Sequence, residues 1–265
     1  MMKSIGFVGF GKMATAIWQG AESGATFSGT PALFYRRNTD LSSTIETQFS
    51  RLSYANLEVV CQQDCLIFAV KPQQIRDILK ILPECSPSLV ISILAGTTIS
   101  FFEDYFGSQT AVARVMPNTP CMIQSGMTGI TFNDRVDAAK QDWITRLFST
   151  LGQVSIVSES ELDIVTGISG SGPAFLYEIA DIIAQVGHEH GLSDTLSLKL
   201  IAQTMVGAGQ LLLESEKSPN ELINEVCSPG GTTITGLTAF RESRAKDGIR
   251  AMVRAAIERS RDLSQ

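Results

Sequence analysis

The hydrophobic pattern of the chain changes character once. Up to about residue 160 it consists of short apolar runs, each followed by glycine, proline or polar residues, as in buried parallel strands. Such runs include Ile5, Phe7 and Val8, then A-L-F-Y behind Pro31, D-C-L-I-F-A-V (64–70), L-V-I-S-I-L (89–94) and residues 112–116. Two further strands are expected at 126–132 and 153–157, with a helix over 137–150 between them. A first helix is expected over 14–23, ending near Gly24, and Pro72 is placed to start another directly after Lys71. This alternation predicts an α/β domain over residues 1–160, with a Rossmann-type, doubly wound and mostly parallel sheet.

Beyond residue 160 the apolar positions recur at helical spacing. S-G-S-G-P (169–173) reads as the capped start of a long apolar helix over 174–190. A second long helix is expected over 195–213 and a short one over 219–226. Gly207, Ala208 and Gly209 include two glycines, which are costly in an isolated helix and make sense where another helix packs closely. Residues 161–265 are therefore expected to form an all-helical domain that buries its apolar surface against a second copy.

The chemistry is expected at two glycine-rich turns. The first, Gly9, Gly11 and Ala14 in I-G-F-V-G-F-G-K-M-A, stands between strand and helix as G-x-G-x-x-A. Gly9 permits a tight turn, Gly11 lets the backbone approach a pyrophosphate, and Ala14 lets the helix pack on its strand. The free N–H groups at the helix start then face an anion. At the end of the second strand, where a dinucleotide fold uses an acid to hold a ribose 2′-hydroxyl, the chain has Arg36 and Arg37. Two arginines there suit a 2′-phosphate, which favours NADPH and leaves NADH as the weaker alternative; a solvated basic turn is the plain alternative. The second turn, S-P-G-G-T-T (228–233), has no strand before it and offers N–H groups and hydroxyls to a small anion, or is a capping loop alone.

Composition narrows the classes. The formal charge of -6 argues against nucleic acid as a partner, and no apolar run is read as a membrane span. The charged start leads straight into a strand, so no secretory signal is expected. The 5 cysteines lack framework spacing and read as reduced thiols of a cytoplasmic protein. Cys61 and Cys65 have no second pair to complete a zinc site, and His188 and His190 fall on different faces of a helix, so no metal is expected.

Taken together, the motifs resemble the pyrroline-5-carboxylate reductase family over essentially the whole chain. The marks are I-G-F-V-G-F-G-K-M-A, A-V-K-P (69–72), Ala95-Gly96, R-V-M-P-N-T-P (114–120), S-G-S-G-P-A (169–174) and S-P-G-G-T-T-I (228–234). Lys12 departs from the asparagine or glutamine more often found there. The resemblance implies that Phe10, Lys12 and Met13 lie on the phosphate turn and that Arg36 and Arg37 lie near the 2′-phosphate. It implies that Asn56 contacts the adenosine part and that Val70, Lys71, Ala95 and Gly96 line the nicotinamide side, with Ala69 and Pro72 also counted as cofactor residues. Ser228, Gly230, Gly231, Thr232 and Thr233 fall on the substrate loop, with Glu216 on the helix before it. An intertwined homodimer is implied, and larger rings of dimers occur in the family.

The implied reaction is reduction of 1-pyrroline-5-carboxylate to L-proline, the last step of proline biosynthesis. A protonated cyclic imine already accepts hydride well, so the protein needs orientation and a hydrogen bond near the ring nitrogen rather than a metal or a strong acid. Thr233 can supply the hydroxyl, and the N–H groups of Gly230, Gly231 and Thr232 can hold the carboxylate. One rival is a related two-domain NADPH-dependent oxidoreductase acting on a hydroxy acid or an acyclic imine. Such enzymes usually place a lysine on the long interdomain helix, and residues 174–190 contain none. The other rival is an NADPH-sensing regulator, which has no need of the 228–233 loop.

Overall fold

The computed structural model describes Met2 and residues 4–23, 30–40 and 42–264. The predicted first-helix end at Gly24 lies outside the described residues. One sheet of eight strands runs in the order β3-β2-β1-β4-β5-β6-β7-β8. Its strands are β1 (Ile5–Val8), β2 (Ala32–Tyr35), β3 (Leu52–Tyr54), β4 (Cys65–Phe68), β5 (Leu89–Ser92), β6 (Val112–Met116), β7 (Gly126–Phe132) and β8 (Gly152–Ile156). Every neighbouring pair is parallel except β6 with β7. The chain order reverses between β1 and β4, which opens a crevice at the carboxyl end of β1.

The central strands β1, β4 and β5 are buried throughout because helices cover both faces of the sheet. On one face α1 (Lys12–Ser23) presents Ala14, Ile17, Trp18 and Ala21, one helical stripe, to a core that holds Phe7, Phe34 and α6 (Ala138–Ser149). On the other, Phe68, Val90 and Val112 pack with α3 (Leu57–Val60), α4 (Ile75–Ile81) and α5 (Ile99–Phe106). Helix α1 begins at Lys12, two residues before the expected start, because the Thr15 N–H already reaches the Gly11 carbonyl at 2.9 Å. Strand β3 and helix α2 (Ser42–Gln48) have no counterpart in the sequence reading; in β3 only Leu52 is buried.

The expected helix cap at 169–173 is not there. Helix α7 (Glu159–Val165) runs into a π-helical turn, Thr166–Gly170, and then into α8 (Gly172–Glu189). Ser171 stays helical and its N–H reaches the Thr166 carbonyl at 2.8 Å, a five-residue step. Asn118 Nδ2 donates to the carbonyl and hydroxyl of Ser169, holding the widened turn.

The chain divides into two compact units, Met1–Ser171 with Ala256–Gln265, and Gly172–Ala255. In the second unit α8 packs along α9 (Asp194–Glu214), where Gly187 lets Ser197 approach closely. Then follow α10 (Pro219–Val226), α11 (Thr232–Glu242) and α12 (Ala245–Leu263), whose last residues belong to the first unit. Helix α9 is long and apolar enough to cross a membrane by length and composition, with a mean hydropathy of 1.3. The expectation of no membrane-length run differs from this because Lys199 and several hydroxyl and amide side chains interrupt the apolar positions. Leu198, Val206, Leu211 and Leu213 on α9 are exposed, and among the described residues nothing beyond the helix's own backbone lies within 4 Å of a Cβ placed on Gly207 or Gly209.

Candidate active site

The crevice beyond β1 is a cavity of about 840 Å³. Its floor is the turn from β1 into α1. Gly9 has φ 91, and a Cβ there would stand 2.6 Å from Val70 Cγ1 and 2.8 Å from Val70 N. Only glycine fits that conformation and that approach. A Cβ on Gly11 would meet nothing within 4 Å, so the space in front of it is open to a ligand. The first N–H groups of α1 have no acceptor inside the helix and face this space. Phe10 is a core residue, its ring 5.2 Å from Phe7 and 4.8 Å from Phe34, so only its backbone can serve the turn. Gly9→Ala is expected to lower stability by about 1–3 kcal/mol through backbone strain and to weaken nucleotide binding with it, as thermal melting and a fluorescence titration with NADPH will show.

The walls come from strand ends. Tyr35, Arg36, Arg37 and Asn38 follow β2, Ala69, Val70, Lys71 and Pro72 follow β4, Ala95 follows β5, and Met116, Pro117 and Thr119 close β6. Lys12, Arg36, Arg37 and Lys71 all line the cavity, and among the described residues no aspartate or glutamate does. In a chain of formal charge -6 this is a concentrated cationic site. Among the described residues neither Arg36 nor Arg37 forms an ion pair within the chain, so both guanidinium groups are free for a phosphate. The glycine cradle, the helix start and the arginines together fit a dinucleotide that carries a 2′-phosphate.

A family model described as "NADP oxidoreductase coenzyme F420-dependent" matches residues 4–96, and one described as "Pyrroline-5-carboxylate reductase dimerisation" matches residues 159–263. The chain is 38% identical to pyrroline-5-carboxylate reductase 2 of Bacillus subtilis (strain 168), covering 100% of this chain and 96% of that one. The chain belongs to the pyrroline-5-carboxylate reductase family. Its fold superposes on the pyrroline-5-carboxylate reductase of Streptococcus pyogenes with a TM-score of 0.89, at 28% identity and 98% coverage of both chains. A pyrroline carboxylate reductase from Plasmodium falciparum, solved with NADP bound, gives 0.86 at 27% identity and covers 100% of both.

Other expected residues of this reductase lie outside the cavity. Gly96, at φ 69, sits behind Ala95 against Leu263. Asn56 caps α3, its Oδ1 accepting the Val59 N–H at 3.0 Å, and does not line the cavity. Glu216 is not on a helix: α9 ends at Glu214, Ser215 Oγ accepts the Lys217 N–H, and Ser218 caps α10. Met116, Thr119 and Met122, by contrast, line the cavity without having been assigned a role. The R-V-M-P-N-T-P motif pointed at two of them, since it marks the carboxyl end of a buried strand.

The second glycine turn lies in the second unit. Gly230 has φ 70, and the Gly231 N–H donates to the Ser228 carbonyl at 3.0 Å. A Cβ on Gly231 would lie 2.4 Å from Ser228 Oγ. Gly231 is the N-cap of α11 and brings no side-chain cap, so the N–H groups of Thr232 and Thr233 remain open to an acceptor. Thr233 is half-buried, and its hydroxyl bonds to none of the described residues. Thiols are poorly placed for covalent chemistry: burial pushes Cys65 and Cys121 up, and burial beside Cys61 pushes Cys85 up to about 12. All five cysteines are free.

Proposed function

We infer that this chain reduces 1-pyrroline-5-carboxylate to L-proline, with NADPH as hydride donor. The observation that carries the reading is full-length similarity to these reductases, joined to an acid-free cationic dinucleotide cleft. NADPH, when bound, supplies the hydride to the imine carbon. The chain's own part is binding and orientation. Gly11, Lys12 and Met13 cradle the pyrophosphate through backbone N–H groups, with Phe10 contributing only its backbone and Gly9, whose N–H donates to the Tyr35 carbonyl at 2.9 Å, shaping the turn. Arg36 and Arg37 hold the 2′-phosphate, and the amide nitrogen of Asn56, left free by its cap, serves the adenosine side. Ala69, Val70, Lys71, Pro72, Ala95 and Gly96 form the nicotinamide end. The N–H groups of Gly230 and Thr232 hold the substrate carboxylate beside Ser228 and Glu216, while that of Gly231, expected to join them, is already donated to the Ser228 carbonyl, and the Thr233 hydroxyl bonds the ring nitrogen. Incubation with NADPH and pyrroline-5-carboxylate, followed by loss of nicotinamide absorbance and by proline formed, tests the activity. A hydroxy-acid or acyclic-imine reductase is the weaker reading, since α8 carries no lysine.

The cofactor part is assigned to residues 1–160 and the dimerising, substrate-binding part to 161–265, in a cytoplasmic homodimer that can assemble into rings. The exposed apolar face of α9 is assigned to the second copy rather than to lipid. Gly207→Leu separates these possibilities. With no neighbour among the described residues outside its own helix, leucine there favours the helix by about 0.8–1.0 kcal/mol relative to glycine. Against a close partner helix it costs about 1–3 kcal/mol by overpacking. Light scattering is expected to show wild-type dimers or larger rings and a weakened assembly in the variant; an unchanged assembly that melts higher would remove α9 from the interface.

A further inference from the structure

Strand β6 carries a charge inside the core. Arg114 is 2% exposed, between Ala113 and Val115, which are fully buried. A guanidinium is retained in such a place only with partners around it. Its Nη2 donates to Asp163 Oδ1 at 3.0 Å and to Ser264 Oγ at 3.4 Å, and its Nη1 donates to Glu159 Oε1 at 3.4 Å. Asp163 Oδ1 also accepts the Ser260 hydroxyl at 2.8 Å and the Ser264 hydroxyl at 3.1 Å. The end of α12 is thereby tied to α7 and β6.

Both arms of this network end on one short segment, residues 95–99. In the last turn of α12, Leu263 lies against Gly96 so closely that a Cβ on Gly96 would be 2.4 Å from Leu263 Cβ and 2.9 Å from its carbonyl oxygen. At the other end of the segment Glu159 Oε1 accepts the N–H of Ile99, the first residue of α5, at 2.7 Å. The turn that leaves β5 is thus held twice, and its Ala95 lines the cofactor cavity.

We propose that Arg114 is a positioning residue for the nicotinamide end of the cofactor cleft. It acts through Glu159 on Ile99, and through Asp163 and Ser264 on Leu263 and Gly96. The proposal rests on the assignment of residues 95 and 96 to the nicotinamide side. It requires that loosening the network disturb the nicotinamide half of the cofactor and spare the adenosine half, whose contacts lie around Arg36 and Arg37.

Removing Arg114 leaves the buried Asp163 carboxylate with only the Ser260 and Ser264 hydroxyls on it and no counter-charge beside it, and Arg114→Met can fail to fold. Glu159 gives the cleaner test, because its side chain is 36% exposed. Glu159→Ala removes the tether to Ile99, whereas Glu159→Gln keeps an oxygen that can accept the same N–H. Binding of NADPH and of 2′,5′-ADP, which has the 2′-phosphate but no nicotinamide, is measured beside turnover. In Glu159→Ala, turnover is expected to fall about tenfold, the order expected for one lost hydrogen bond to a charged acceptor, with weaker NADPH binding and unchanged 2′,5′-ADP binding. Glu159→Gln is expected to recover most of the loss. Arg114→Lys, able to hold one carboxylate but not both, should keep part of the wild-type turnover. Equal losses for NADPH and 2′,5′-ADP, wild-type turnover in Glu159→Ala, or no recovery in Glu159→Gln would each overturn the proposal. If the wild type binds both nucleotides but leaves pyrroline-5-carboxylate unreduced, the functional reading fails; the contrast between the two nucleotides still decides the positioning role.

Discussion

Arg36→Ala with Arg37→Ala is expected to cost NADPH about 3–6 kcal/mol of binding, roughly a hundred- to ten-thousandfold, at two charge-assisted contacts of about 1.5–3 kcal/mol each. NADH binding is expected to change little, because NADH has no 2′-phosphate for the arginines to hold. The expectation rests on position and freedom. Both residues follow the carboxyl end of β2 and line the cavity, and among the described residues neither spends its guanidinium on a carboxylate of the chain. The planar fork of each can bond two phosphate oxygens at once, which a lysine cannot reproduce. Part of the effect is long-range, since Lys12 and Lys71 line the same acid-free cavity. Raising the salt concentration should therefore weaken NADPH binding in the wild type more than in the double variant. Fluorescence titrations with the two nucleotides at low and high salt measure both contrasts. Equal losses for NADH and NADPH would mean that the arginines serve the general field of the cleft and not the 2′-phosphate.

The cleft was legible because its parts are local in sequence. Gly9, Gly11 and Ala14 fall within six positions, and Arg36 and Arg37 stand directly after an apolar run. Periodicity also overran the strands in a telling way. The runs 64–70 and 89–94 were read as strands, whereas β4 ends at Phe68 and β5 at Ser92. The surplus residues Ala69, Val70 and Ile93 are apolar because they line the cavity, and a strand pattern cannot distinguish lining from core. Strand β3 was hidden for the opposite reason: L-S-Y has too little pattern, and its identity comes from pairing with β2. The S-G-S-G-P segment misled because its serines and glycines suit a cap, while here Gly167 and Gly170 admit Ile257 and Met116 to a widened helical turn. Nothing in the sequence could join Arg114 to Ser264, 150 residues apart, since no local rule links positions so distant.

The glycine turn at 228–233, proposed to hold the substrate, was legible as a motif but not as a mechanism, and Thr233→Val decides between its two uses. If the Thr233 hydroxyl bonds the ring nitrogen during hydride transfer, the variant should lose about 2–4 kcal/mol of transition-state stabilisation, by analogy with oxyanion-hole donors, or tens- to about a thousandfold in turnover. The smaller end is expected, because a protonated imine is reactive by itself. NADPH binding should be nearly unchanged, since the cavity proposed for the cofactor is lined, among the described residues, by residues between 9 and 122. The alternative, that Thr233 merely caps its helix, predicts a loss of stability instead, of about 1 kcal/mol. The geometry of α11 speaks against it: the N-cap is Gly231, Thr233 lies two residues inside the helix, and its hydroxyl bonds to none of the described residues. Valine keeps the branched shape, so the melting temperature should stay close to that of the wild type. Thermal melting and steady-state kinetics on one preparation separate the cases. A Thr233→Val protein with wild-type turnover would leave the free N–H groups of the turn as the loop's whole contribution, and the search for the hydrogen-bond partner of the nitrogen would move to the Ser228 hydroxyl on the same turn.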